Sequence, residues 1–171
     1  TEPYPQFLRS VFKLSNIRGA LITMPHKVTT LGMLDEVLPN AMIAGAANAV
    51  RRLPDGRLQG DMFDGEGFVR GLKRKGFETR GKRTLVVGSG GVGSAIAASL
   101  AAAGVLEMHL YDVNTAAASA LRDRLLRQYP NMTIRTGSKD PAGLELLVNA
   151  TPLGMNAGDP LPLDMLRIDP A

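Results

Sequence analysis

The chain has 171 residues, 44% hydrophobic and 21% charged, enough to bury a core but short for two full-size domains. The absence of cysteine excludes disulfides, thiolate nucleophiles and Cys-ligated metal centres, and two histidines are too few for a His-rich cage, so no metal site is expected. A net charge of +4 and a pI near 9.7 raise anionic partners, yet the densest basic stretch, Arg70–Arg83, has seven Lys/Arg and Phe77 as its one aromatic.

That stretch reads as a solvated helix end and linker, so no nucleic-acid partner is expected. No apolar run approaches the roughly 20 residues that span a bilayer, and residues 1–14 hold no continuous hydrophobic segment, which predicts a cytoplasmic chain without a membrane partner. In chain order, Phe7, Leu8, Val11 and Phe12 fall at helical spacing, and Ala20-Leu21-Ile22 predicts a short buried strand. Residues 28–38 carry helical spacing again. Pro54-Asp55-Gly56 is a turn signal between extended runs at 46–53 and 58–63, hence a hairpin.

At Gly81 the composition shifts to the buried-strand signature Thr84-Leu85-Val86-Val87. Strand 84–87, helix 91–103, strand 107–112, helix 115–128 and strands 132–135 and 145–149 then follow. The alternation predicts βαβ units and an α/β fold. A Rossmann-like parallel-sheet domain over 81–171 would be preceded by a smaller α/β substrate-binding domain over 1–80. With about four strands where such a sheet commonly has six, the chain looks truncated.

Gly88-Ser89-Gly90-Gly91-Val92-Gly93 fits G-x-G-x-x-G, follows a strand directly and opens an Ala-rich helix. Gly88 would allow the tight turn, Gly90 the approach of a pyrophosphate, and Gly93 the packing of helix on strand, with the anion at the helix N-terminus. Asp112 ends the next strand, 19 residues after Gly93, where a carboxylate accepts both ribose hydroxyls of NAD and repels the 2′-phosphate of NADP. Val113-Asn114 supplies no guanidinium for that phosphate, so NAD is expected and NADP is the weaker candidate. Asp112 as a simple cap for the helix near Thr115 is the alternative.

Three further segments end or join elements: Thr23-Met24-Pro25-His26-Lys27, Gly45-Ala46-Ala47-Asn48-Ala49-Val50, and Gly60 through Phe68. With Asn149-Ala150-Thr151-Pro152-Leu153-Gly154-Met155 and the glycine loop, they resemble, in order, the five motifs of the shikimate dehydrogenase family. The resemblance implies a substrate domain facing an NAD(P)-binding Rossmann domain, an oxidoreductase interconverting a cyclic ketone and alcohol, and a place in aromatic amino acid biosynthesis. It implies Lys27 and Asp64 as the acid–base pair and Asn48 and Thr23 as substrate-binding residues. Gly88, Gly90, Gly91, Val92, Gly93, Asp112, Thr151, Leu153 and Met155 would meet the cofactor.

Where the family has polar residues, this chain has Leu21, Ala49, Met62 and Phe63. These predict a drier pocket and put shikimate in question as the substrate, leaving a cyclic hydroxy acid or a less polar relative. By the same resemblance, family segments before Thr1 and after Ala171 are missing. Oligomeric state stays open between monomer and homodimer, and a non-catalytic NAD-binding sensor is the alternative function.

Overall fold

The computed structural model describes residues 3–168, which form two four-stranded sheets. The first begins after α1 (Pro3–Val11), whose Leu8 is buried and whose following Phe12 is buried with it. Its strands are β1 (Gly19–Leu21), β2 (Glu36–Val37), β3 (Ala49–Arg52) and β4 (Leu58–Asp61), in the order β1-β3-β4-β2. The expected hairpin is β3 and β4, paired antiparallel from Ala49↔Asp61 to Arg52↔Leu58. β1 joins β3 antiparallel, and β2 joins β4 parallel.

Three expectations for this half are corrected. β1 is not a buried strand: it lies at a sheet edge, and Leu21 is 88% exposed. The helix expected over 28–38 is α2 (Lys27–Leu31), closed by Gly32. The apolar spacing beyond it serves another purpose, because Leu34 drops onto Gly60, where a Cβ would come within 2.4 Å of the leucine side chain. The third miss is α3 (Pro39–Ala44), which opens on a proline preset for the first turn and ends on Gly45 in the left-handed region.

The second sheet is fully parallel, in the order β7-β6-β5-β8, from β5 (Arg83–Val87), β6 (Glu107–Tyr111), β7 (Thr133–Thr136) and β8 (Leu146–Asn149). Between its strands run α5 (Gly91–Ala102) and α6 (Thr115–Gln128). Residues Gly93 through Ala101 of α5 are all buried, the signature of a helix covered on every side. Val86, Met108, Leu110 and Val148 of the sheet pack with Ile96, Leu100, Leu121 and Leu125.

The two sheets are joined through helices. α4 (Asp64–Arg74) carries the chain out of β4 and lies on α5, and α3 packs on the same helix. The contact is close because the residues are small: a Cβ at Gly65 would fall 2.0 Å from the Ala95 carbonyl oxygen, and Gly91 faces Ala46. Met62 fills the space beside this contact, fully buried with Ala41, Ala44, Ala46, Ala47 and Ala95. The start of α4 is thereby fixed to the first turns of the helix that the glycine loop opens.

Candidate active site and dinucleotide crevice

At the carboxyl edge of the second sheet, a crevice of about 540 Å³ is lined by Gly88, Gly90, Gly91, Val92, Asp112, Thr151 and Leu153, among others. Gly88 sits at φ +103°, a conformation other residues rarely adopt. Gly93 is buried under the loop, where a Cβ would stand 1.9 Å from the Gly88 carbonyl oxygen, so it packs helix against strand rather than lining the opening. At Gly90 the same added carbon would meet nothing within 4 Å. Protein packing therefore does not require glycine there, and the open space is room for a ligand.

Asp112 accepts hydrogen bonds from the backbone N–H of Ser89 at 2.7 Å and of Asn114 at 2.8 Å, tying the loop to the end of β6. It does not cap α6; Asn114 does, accepting from the Ala117 N–H. A carboxylate has about four lone-pair sites, so Asp112 keeps capacity for ribose hydroxyls. The Ser89 hydroxyl is buried in the loop without a hydrogen-bond partner. A cradle open at Gly90, an orphaned hydroxyl and an acid at the strand end fit a dinucleotide.

The segment after β8 stitches itself together. Asn149 Oδ1 accepts from the Thr151 N–H at 3.0 Å and from its hydroxyl at 2.6 Å, and the Thr151 hydroxyl accepts from the Leu153 N–H at 3.1 Å. Thr151 and Leu153 line the crevice, whereas Met155 is 77% exposed and does not. Sequence reasoning missed Tyr111 and Lys139 in the lining. The available signal was topological, since ligands of open parallel sheets sit beyond the carboxyl ends of strands and Lys139 follows β7. An equally large opening at the opposite end of the sheet, among Arg80, Gly104, Tyr129 and Met132, has no acid in its lining, and its two glycines, Gly81 and Gly104, open no helix.

The second half of the site lies where β1 and β4 end and β3, antiparallel to both, begins. Lys27 is the first residue of α2 and Asp64 the first of α4, and Lys27 Nζ donates to Asp64 Oδ2 at 2.5 Å. Their side chains are only 17% and 28% exposed. Asn48 completes the cluster: its Nδ2 donates to Asp64 Oδ1 at 2.6 Å, and its Oδ1 accepts from the Phe63 N–H at 3.0 Å. Both carboxylate oxygens are thus engaged, and a primary ammonium is held beside them.

Thr23 is exposed in the turn before α2, and its carbonyl accepts from the His26 N–H at 3.1 Å. His26 stacks on Tyr4 with ring centroids 3.9 Å apart. Of the apolar departures, Met62 is core and cannot dry a pocket; Leu21 is exposed, Phe63 is 46% exposed and Ala49 is half-buried. Met62 is buried beside the α4–α5 contact, whereas Phe63 is the N-cap residue of α4. Among the described residues, no group of three or more His, Asp or Glu could hold a metal ion, and no helix is long and apolar enough to cross a membrane.

Comparison with known proteins gives a consistent picture. Residues 1–50 match the family model for the shikimate dehydrogenase substrate binding domain. The chain is 40% identical over 155 residues to a shikimate dehydrogenase (NADP(+)) of Rubrobacter xylanophilus, covering 88% of this chain and 55% of that protein. It is 37% identical over 158 residues to a quinate/shikimate dehydrogenase (NAD(+)) of Corynebacterium efficiens, covering 89% and 55%. Quinate dehydrogenase from Corynebacterium glutamicum, solved in complex with NAD, superposes with a TM-score of 0.83 at 30% identity, over 96% of this chain and 60% of that one. The chain spans about half the length of the curated relatives it matches. In its ordered motifs, its sequence and its fold, the chain is thus similar to the shikimate and quinate dehydrogenases.

Proposed function

We propose that the chain forms the catalytic centre of a nicotinamide-dependent oxidoreductase that interconverts a ring ketone and alcohol on a cyclic hydroxy acid. Residues 1–80 form the substrate side and residues 81–171 the dinucleotide side. The carrying observation is the cluster of Lys27, Asp64 and Asn48, anchored to α5 through Gly65. A bound nicotinamide supplies hydride to the carbonyl carbon or takes it from the alcohol carbon. Lys27 gives its Nζ proton to the carbonyl oxygen during reduction and, as the neutral amine, takes the hydroxyl proton during oxidation. Asp64 holds the ammonium in place, and Asn48 holds Asp64 while its amide edge offers contact to a ring hydroxyl.

NAD is the preferred cofactor in this reading, because Asp112 faces the ribose and exposed Val113 brings no cation to a 2′-phosphate. Leu21, Met24 and Phe63, all exposed, flank the acid–base residues in sequence, which favours a substrate less hydroxylated than shikimate. Turnover by the intact protein over a panel of cyclic hydroxy acids, with NAD and NADP, tests both points. A less polar ring should exceed shikimate in kcat/KM by about tenfold, roughly 1.4 kcal/mol of transition-state binding. Shikimate as the best substrate would overturn the substrate assignment, and no turnover of any member would overturn the reaction.

A further inference from the structure

The crevice contains one cation that the reading of its cofactor has not used. Lys139, on the connection after β7, lines the opening together with Asp112, Val113 and Tyr111, and it is the one Lys or Arg among the lining residues. Its Nζ stands 5.6 Å from the centre of the Tyr111 ring. Among the described residues Lys139 makes no ion pair, although Asp112 lines the same opening. An ammonium held over an aromatic face, open to a cavity and left without a carboxylate, has its charge available to an anionic ligand. Asp112, by contrast, has part of its charge answered by the N–H groups of Ser89 and Asn114, which blunts its repulsion of a nearby phosphate.

We propose that Lys139 is a specificity-determining residue for the cofactor: it meets the extra phosphate on the adenosine ribose and lets the crevice accept a phosphorylated dinucleotide as its second choice. This rests on the assignment of the crevice to a nicotinamide dinucleotide. Lys139 lies on the β7–β8 connection and lines the same opening as Val113, so it supplies the cation that the segment directly after β6 lacks. The preference for NAD is then a balance between Asp112 and Lys139 rather than an exclusion of NADP.

Calorimetric titration of the intact protein with NAD and with NADP, in the absence of substrate, tests this. Lys139→Met keeps the apolar stem beside Tyr111 and removes the charge; Lys139→Arg keeps the charge. Lys139→Met should weaken NADP by about tenfold while NAD changes less than about twofold, Lys139→Arg should retain NADP binding, and the salt dependence of NADP affinity should become shallower in Lys139→Met. Equal weakening of both dinucleotides, or unchanged NADP affinity in Lys139→Met, would overturn the role of Lys139 while NAD binding still stands. If the unmodified protein binds neither dinucleotide, the crevice assignment itself fails and Lys139 falls with it.

Discussion

In the acid–base cluster, side chains hold one another: Lys27 on Asp64, Asp64 on Asn48, and Asn48 on the backbone of Phe63. In the crevice, the work is done by side chains that are missing, at Gly88, Gly90 and Gly93, and by backbone N–H groups. The two halves should therefore fail in opposite ways. Removing a group damages the first, because a partner is left partly buried and uncompensated. Adding a carbon damages the second, because the space is already taken by backbone or reserved for ligand.

The largest expected effect tests the first half. Lys27→Ala should lower turnover by about 10²–10⁴, with dinucleotide affinity held within about twofold, since the lysine transfers a proton and lies outside the crevice lining. Asp64→Asn should lower turnover as well and move the pH optimum, because it removes the charge that holds the ammonium. Steady-state rates and a pH profile on the intact protein decide the matter. Retained activity in both variants would leave the cluster as scaffold.

Next in size is a contrast inside the glycine loop. At Gly93 an added Cβ stands 1.9 Å from the Gly88 carbonyl oxygen and 3.2 Å from Ala150 Cβ, so Gly93→Ala should cost about 3 kcal/mol or more in urea unfolding. Gly90 has φ −72° and ψ −169°, which alanine adopts freely, and nothing near its Cβ position. Gly90→Ala should therefore change stability by less than about 0.5 kcal/mol yet weaken dinucleotide binding about tenfold. If the two variants behave alike, the division of labour along this loop is wrong.

Met62 and Phe63 make the same kind of contrast on the other side of the molecule. Met62→Asn places an amide among Ala41, Ala44, Ala46, Ala47 and Ala95, none of which offers a side-chain partner, and should destabilise by about 2–3 kcal/mol. Phe63→Thr acts at a half-exposed position and should cost less than about 1 kcal/mol. Thermal unfolding separates them, and equal losses would contradict the burial described for Met62.

What the sequence revealed follows the lengths of the elements. From β5 to β8 every strand and helix lies within two residues of its expected bounds, because each runs long enough for its period to show and the glycine loop fixes the frame. Over residues 27–44 the elements are five, two and six residues long, too short for periodicity to distinguish them from one another. Lys27, Asn48 and Asp64 were legible as motif residues, but their mutual bonds span 16 and 37 positions and depend on the order of the first sheet. Met62 was misread for a simple reason: a motif gives residue types, whereas its facing is decided by the α4–α5 contact. Lys139 lies in no motif, and only the position of β7 beside β6 brings it to the crevice.

The smallest expected effect concerns a place on the second sheet where side chains hold one another outside the site. Glu107 at the start of β6 is bonded to His109 at 2.8 Å and accepts from Arg135 Nε at 2.6 Å, across the β6–β7 pair. These two bonds, the one with His109 foremost, hold its carboxyl below the usual carboxylate range. A carboxyl whose folded pKa is depressed adds stability that is complete above its unfolded pKa and disappears as pH falls through the folded one. Glu107→Gln should thus cost about 0.5 kcal/mol at neutral pH, the size of a largely screened surface cluster, and nothing at a pH low enough to protonate the wild-type carboxyl. High salt should shrink the neutral-pH difference. Dinucleotide affinity should not move, since Glu107 sits at the amino end of its strand and the crevice at the carboxyl end. A loss equal at both pH values would mean that Glu107 contributes by packing, and a loss of cofactor affinity would mean that the two ends of β6 are coupled.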